Sequence, residues 1–413
     1  MMHYFLVMNT MFFVVLAYVT ESPAKHPPQN RYEVNIAAGA LDRQNTAVSF
    51  LLPDHPEDGV YLMNCDSGNT VFLQVNHNKA HFILEYLQAG ESKTYTFIDS
   101  PLKDGEYPVH ISGELDTNSI SFASEGNEIL NYFHGESEVP EELDPRFKRA
   151  GYIHPVFTPE GVRVTQHFNP ARPHQYGIWS AWGRSEFQGR STEFWGSHTE
   201  SGRVVVDSIE EIREGPVYGG FISKHRFVDF SISEPVTALN EKWEVVIFHT
   251  NNRDNYHIFD LHISQTANTN NPVRILEHQY GYGGINIRGH DDWNGEGQMD
   301  FQSSEGHGRM EVSFERVRWS HLSGDVEGKR AGIGVLGHPE NMNHPLGVFI
   351  NETEPFFSYG PLPIGDLQIE PGSPYTTRYR MVIHDGDVDS GELDRLWNDY
   401  AYPPGVTVKK LNH

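Results

Sequence analysis

Trp243-Glu-Val-Val-Ile-Phe248 and Tyr256-His-Ile-Phe-Asp-Leu-His-Ile263 are the runs on which the reading of this chain turns. Successive side chains of a strand point to opposite faces, so Ile258, Asp260 and His262 share one face. His257, Phe259, Leu261 and Ile263 share the other. Outward from this pair, Val204-Val-Val-Asp-Ser-Ile209 and Tyr379-Arg-Met-Val-Ile-His384 read the same way, as strands. Between Tyr32 and Leu130 the runs are shorter, as in Tyr32-Glu-Val-Asn-Ile36 and Thr70-Val-Phe-Leu-Gln-Val75. Turn clusters at 54–59, 66–69 and 103–105 separate them at intervals of roughly 8–14 residues, the rhythm of an antiparallel sandwich. One helix is expected near the end: Ser390 as its cap, Leu393, Leu396, Trp397 and Tyr400 at helical spacing, Pro403-Pro404 as its stop. The fold class is therefore all-β, a large antiparallel β-sandwich with a short C-terminal helix. Residues 135–145, acidic with two prolines, read as a linker or crossing loop. That divides the chain into an N-terminal β-sandwich region, 22–145, and a main β-sandwich domain, 146–413.

Composition agrees. Among 413 residues there are 38 Gly, 25 Pro and 12% aromatics, which suits many strands joined by tight turns. The formal charge of −25 repels phosphate backbones, which argues against a nucleic-acid partner. The single cysteine, Cys65, excludes an intramolecular disulfide and any Cys-rich zinc or iron–sulfur site. Residues 1–19 form the one long apolar run and read as a signal peptide (1–21), cleaved between Ala17 and Ser22. No other segment is apolar enough to span a bilayer. The expected location is periplasmic or secreted, with no membrane span after signal removal.

The 23 histidines are the unusual feature. The densest cluster runs from Gly151 to Gly196 and holds His154, His167, Arg172, His174 and Tyr176 among prolines and glycines that fix loops. Histidine and tyrosine move protons under mild conditions, and Arg172 or Arg184 can pair with a carboxylate. Trp179, Trp182 and Trp195 offer flat faces for a sugar ring. In a second cluster, 277–292, Tyr280 and Arg288 stand out, with Gly283-Gly284 permitting close backbone approach. A third, His338-Pro-Glu-Asn-Met-Asn343-His344-Pro345, reads as a loop presenting His338, Asn343 and His344. No spacing is that of a metalloenzyme, so no cofactor is expected. The three clusters with Asp291 and Asp292 still leave room for a divalent metal.

Tyr152-x-His154-Pro155-x-x-Thr158-Pro159-x-Gly161, Pro173-His174-x-x-Gly177-x-Trp179-x-x-Trp182-Gly183 and Phe194-Trp195 resemble a bacterial family labelled PmoA-like. Gly283-Gly284-x-x-x-Arg288, His338-Pro339-x-Asn341-x-x-His344-Pro345 and Tyr379-Arg-x-Val-x-His384-Asp-Gly386 match its later motifs, so the resemblance spans about residues 31–404. It departs at Gln175 and Tyr176, where the family carries a second His and an Arg. The resemblance implies a sandwich of the kind shared by sugar mutarotases and polysaccharide lyases, in a polysaccharide-degrading context beside other such enzymes.

The reading that follows is β-elimination, by a dehydratase or lyase, on a uronic-acid-containing oligosaccharide. A cation neutralises the carboxylate, a base removes the neighbouring C–H proton, and an acid protonates the departing oxygen. Arg288 with Arg172 or Asn343, then His174 or His154, then Tyr176 or Tyr280, are the candidates in that order, with His167 beside them. Two alternatives remain open: another sugar-processing enzyme, a hydrolase or epimerase, and a non-catalytic carbohydrate-binding protein.

Overall fold

The computed structural model describes residues 30–195, 199–250, 255–277, 283–362 and 365–411. The leader expected at 1–21 lies outside the described residues, as does Tyr280. No helix among the described residues is long and apolar enough to cross a membrane.

Among the described residues the molecule is all-β apart from one α-helix and two short 3-10 turns, with three large antiparallel sheets. In order, the eight-stranded sheet is Gly202–Arg213, Tyr218–Asp229, Val236–Phe248, Tyr256–Ala267, Tyr375–Asp385, Lys329–Gly337, Trp319–Val326 and Met299–Ser303. Facing it is a nine-stranded sheet whose middle is Phe356–Gly360, Gly283–Arg288, Ile178–Trp182, Tyr152–Val156 and Asn127–Phe133. Their inner faces form one core, in which Tyr132, Ile153, Ile178, Ile285 and Phe357 meet Phe221, Trp243, Phe259, Leu261 and Met381.

The outer face of the eight-stranded sheet is covered as well. Ile258, Phe248, Val246, Leu336 and Val382 pack there against Leu393, Leu396, Trp397 and Tyr400 of the helix Ser390–Ala401. Double coverage explains why Val245-Val246-Ile247-Phe248 runs apolar without alternation. Asp260, on the same outer face, is not solvated. It takes two hydrogen bonds from Arg380 at 2.7 and 3.0 Å, and the Arg380 guanidinium lies 4.6 Å from the centre of the Tyr400 ring. Asp389, rather than Ser390, caps the helix by accepting from Glu392 N–H at 2.8 Å; Ser390 is its first residue.

The third sheet has seven strands, ordered Arg43–Leu51, Lys79–Leu87, Thr70–Asn76, Gly59–Cys65, Ser92–Ile98, Arg31–Ala37 and Gly405–Leu411. Buried charge joins it to the helix: Arg43 and Thr46 bond Asp399 at 2.8 and 3.0 Å. Gln74 stitches it to the sandwich through the backbone of Glu214, Val217 and Tyr218.

The sheets divide the chain elsewhere than at 145/146. Strands Ile111–Leu115, Ser119–Ser124 and Asn127–Phe133 belong to the nine-stranded sheet, and the strand closing the seven-stranded sheet comes from 405–411. Residues 135–145 lie in a loop between ladder neighbours, since Phe133 pairs with Tyr152. Acidity and prolines mark a loop; they do not say which sheets it joins.

Candidate active site

The strand Tyr152–Val156 leaves its ladder with Asn127–Phe133 between Ile153 and Val156, where Pro155 has no N–H to donate. The chain turns at Thr158–Gly161, returns through Arg163 and Thr165, and makes the hairpin His167–Asn169 with Arg172–Tyr176. Asp385 anchors the turn, accepting from Thr158 Oγ1 at 2.5 Å and Glu160 N–H at 2.9 Å. The His384-Asp385-Gly386 motif thus stands behind the turn it holds.

This path encloses a cleft of about 640 Å³ lined by Phe133, His154, Phe157, Arg163, His167 and His290, with Glu160, Glu327 and Lys329 at the rim. The rings of His154 and His167 lie 4.0 Å apart. Thr165 Oγ1 accepts from Val156 N–H at 3.0 Å, and its own hydroxyl hydrogen is available to His154 Nδ1 at 2.9 Å. When Thr165 donates in this contact, the ring hydrogen of His154 sits on Nε2. His167 Nδ1 lies 3.0 Å from the hydroxyl of the buried Tyr152.

Burial holds His154 well below the ordinary histidine range, reinforced by His167 and Arg163. Burial, then Arg163, brings His167 down to about 4. His290 is lowered by the same two causes. At neutral pH all three rings are uncharged, beside the Arg163 guanidinium.

Arg163 makes no ion pair among the described residues. Its Nη2 lies 3.1 Å from His290 Nε2, while His290 Nδ1 accepts from Asp292 N–H at 3.1 Å. A neutral imidazole has a single acceptor nitrogen, so both contacts cannot be satisfied together. The guanidinium therefore keeps donors for an anion from outside.

Behind the cleft Arg288 is 1% exposed and committed. It donates to Gln175 Oε1 (3.1 Å), Asp291 Oδ1 (2.8 Å) and Asn294 Oδ1 (3.1 Å). Asp291 also accepts from Gln166 and Asn169 at 2.7 and 2.9 Å. Burial works to raise the Asp291 pKa, but the hydrogen bonds from Gln166 and Arg288 outweigh it and hold this carboxyl low. Across this network is a second concavity of about 630 Å³ that includes Arg172, His174, Gln175, Phe314, Phe349 and Glu354. There Arg172 grips Glu354 with two bonds at 2.8 and 2.9 Å.

The residues singled out from sequence are thus dispersed. His154 and His167 share the first cleft; Arg172 and His174 line the second; Arg288 is a buried tie between them. Tyr176 is fully buried, donates to Phe147 O at 2.9 Å and is pushed up by burial, which leaves it no part as an exposed acid. Trp179, Trp182 and Trp195 are buried too and cannot stack on a sugar. Trp179 and Trp182 sit on a central strand with both faces covered, and Trp195 packs edge-on to Trp179.

His338, Asn343 and His344 do not reach the cleft. Lys329, on its rim, starts the strand that ends at Gly337, and that length of strand spans roughly 26 Å. At its far end His338 packs against Tyr400 and His344 stacks on Trp397. The three histidine clusters therefore do not converge on one metal. Arg163 was not among the sequence candidates: in Val162-Arg163-Val164 it looks like any outward position of a strand. The nearness of His167 and Thr165 in sequence was the available signal.

Residues 119–398 match the model of a protein family described as "Family of unknown function (DUF6807)", and the chain belongs to that family. No curated protein matches the sequence. Among solved structures the chain is similar to a protein in the glycosyl hydrolase family 38 from Enterococcus faecalis, with a TM-score of 0.45 and 9% identity. The similarity covers 94% of this chain and 48% of that one, so the chain spans about half the length of that protein.

Proposed function

We propose that this protein is an exported carbohydrate-active enzyme that performs β-elimination on a uronic-acid-containing oligosaccharide, as a dehydratase or lyase. One observation carries the reading: a single cleft sets an arginine without an ion-pair partner beside two neutral histidines whose polar atoms are oriented by neighbours. Arg163, with His290, holds the substrate carboxylate and so acidifies the adjacent C5–H. His167 Nε2 takes that proton, with Tyr152 steadying the ring through Nδ1. The electron pair of the C–H bond becomes the C4=C5 double bond as the C4–O bond breaks. The imidazolium so formed on His167 passes that proton to the departing oxygen, restoring the neutral ring, while His154, 4.0 Å away ring to ring, donates a hydrogen bond to the same oxygen. If that oxygen is a hydroxyl, water leaves; if it is glycosidic, the chain is cut.

The roles differ from those expected of Arg288 and Tyr176, because both are consumed inside the protein. A glycosidase acid needs a carboxyl with a raised pKa, whereas Asp291 is held low. No divalent metal is needed for any of these steps.

The test is a panel of uronic-acid oligosaccharides followed by ultraviolet absorbance and mass spectrometry. Absorbance with loss of one water means dehydration; absorbance with cleavage and no net water means a lyase. Reducing ends without absorbance, or no turnover on any member, would overturn the elimination reading. Export is tested separately by the N-terminal mass of the protein recovered outside the cytoplasm, expected to begin between Ala17 and Ser22.

A further inference from the structure

Away from the cleft, three strand ends of the sandwich bring His110, Glu125 and His249 together. His110 immediately precedes the strand Ile111–Leu115, Glu125 follows Ser119–Ser124, and His249 follows Val236–Phe248. The first two strands belong to the nine-stranded sheet and the third to the eight-stranded sheet. One ligand atom from each residue lies within 4.8 Å of the others. His110 Nδ1 is 3.0 Å from Glu125 Oε1, and the imidazoles of His110 and His249 stack with centres 4.1 Å apart.

His257 supplies an independent observation. Its ring is 6% exposed, and its buried Nε2 has no hydrogen-bond partner. The ladder pairing Phe248 with Ile258, continued by one step, sets His257 beside His249. Both alternate with core residues, Ile247 and Phe259, so both point to the inner face. A buried nitrogen without a partner is costly, and the ring that carries it adjoins that of His249. His110 and His249 also line a cavity of about 180 Å³, walled on its other side by Phe72, Ile83 and Glu85 of the seven-stranded sheet.

We propose that His110, Glu125 and His249 bind a divalent first-row transition metal ion, with zinc as the best match, and that His257 is the flanking fourth donor. Two or three imidazoles with one carboxylate form the donor set of zinc rather than of calcium or magnesium. Zinc–nitrogen bonds of about 2.0–2.1 Å require the stacked rings to turn toward a common point. His110 is the side chain with freedom to do so, since it is 24% exposed at the cavity. The bound ion would fasten the two sheets of the sandwich together at one end.

The experiment uses the full chain stripped with chelator, then titrated with Zn²⁺ by calorimetry and with Co²⁺ by visible absorption. The expected result is about one ion per chain, a tetrahedral Co²⁺ spectrum, and a rise in Tm of roughly 3 °C at a hundredfold excess over Kd. Glu125→Gln and His110→Ala change partly exposed side chains and keep the fold; each should lose the spectrum and most of the Tm rise. His167→Ala should keep both. Absence of binding to the stripped wild type overturns the proposal. So does binding that survives in His110→Ala and Glu125→Gln, or that is lost in His167→Ala and so belongs to the cleft.

Discussion

Two segments of this chain look alike on paper: Tyr152 to His167, and His338 to Pro345. Each follows a His-Pro pair with a second histidine downstream. In the first, the rings face a cleft of about 640 Å³ beside a cation without an ion-pair partner. In the second, the loop is a brace. Asn341 exchanges hydrogen bonds with the Arg378 backbone at 2.7 and 2.8 Å, much as a neighbouring strand would, and both histidine rings lie on helix aromatics. Density of histidine therefore does not identify a site. What separates the two is whether the polar atoms of each ring look onto open space beside a charge.

The sharpest way to break this contrast is to truncate both sides of it. Arg163→Ala and His167→Ala should each lower kcat/KM on the responsive saccharide by about 10²–10⁴-fold, while His338→Ala should stay within about twofold. A large loss at His338 would put the brace into the chemistry and undo the distinction.

Stability should show the reverse order. Trp397 is buried, donates to Gly337 O at 2.9 Å and carries the His344 ring. Trp397→Ala should cost about 3 kcal/mol in denaturant unfolding, with turnover per folded molecule unchanged.

Acidity provides a third comparison. Because His167 titrates at about 4, the acid limb of kcat/KM should fall there rather than at the usual 6.5. Arg163→Gln removes the smaller of the two causes and should move the limb upward in whatever activity remains. In the core, His321 and His384 share a 2.8 Å Nε2–Nε2 contact and are lowered by burial to about 3 and about 4. Their folded pKa values lie below the unfolded one, so the unfolded state binds more protons. Their contribution is complete above about 6.5 and is lost as pH falls from there toward 4, at about 1.4 kcal/mol per pH unit for each ring. His321→Asn should flatten that slope.

The smallest effect is expected at the cleft rim. Lys329→Ala should change kcat/KM by about twofold and reduce its salt dependence, because Lys329 is exposed and already near Glu160 at 3.5 Å.

Much of the architecture was legible. Period-two runs located the long strands, and the faces assigned to Ile258 and Phe259 are those they occupy. The spacing of Leu393, Leu396, Trp397 and Tyr400 located the helix. Pairing partners were not legible, because a strand's own pattern does not name its neighbour; thus 111–133 and 405–411 fell on the wrong side of the expected division. The site was half legible. His154 and His167 could be read because histidines gathered in a stretch rich in proline and glycine are conspicuous. Arg163 could not, since its role depends on its making no ion pair with the described residues around the cleft, which a sequence does not display. The tryptophans misled for the opposite reason: large rings that suit a sugar suit a covered central strand equally well.

The ladder between Arg31–Ala37 and Gly405–Leu411 bears on how the molecule is made. Synthesis delivers the first strand early and its outer neighbour only after both sandwich sheets and the helix. Throughout that interval Arg31–Ala37 presents an open edge, the kind of surface on which partly made chains pair with one another. Nascent chains stalled before residue 405 should thus associate more readily than finished ones, and a holding chaperone would have its greatest effect in that window.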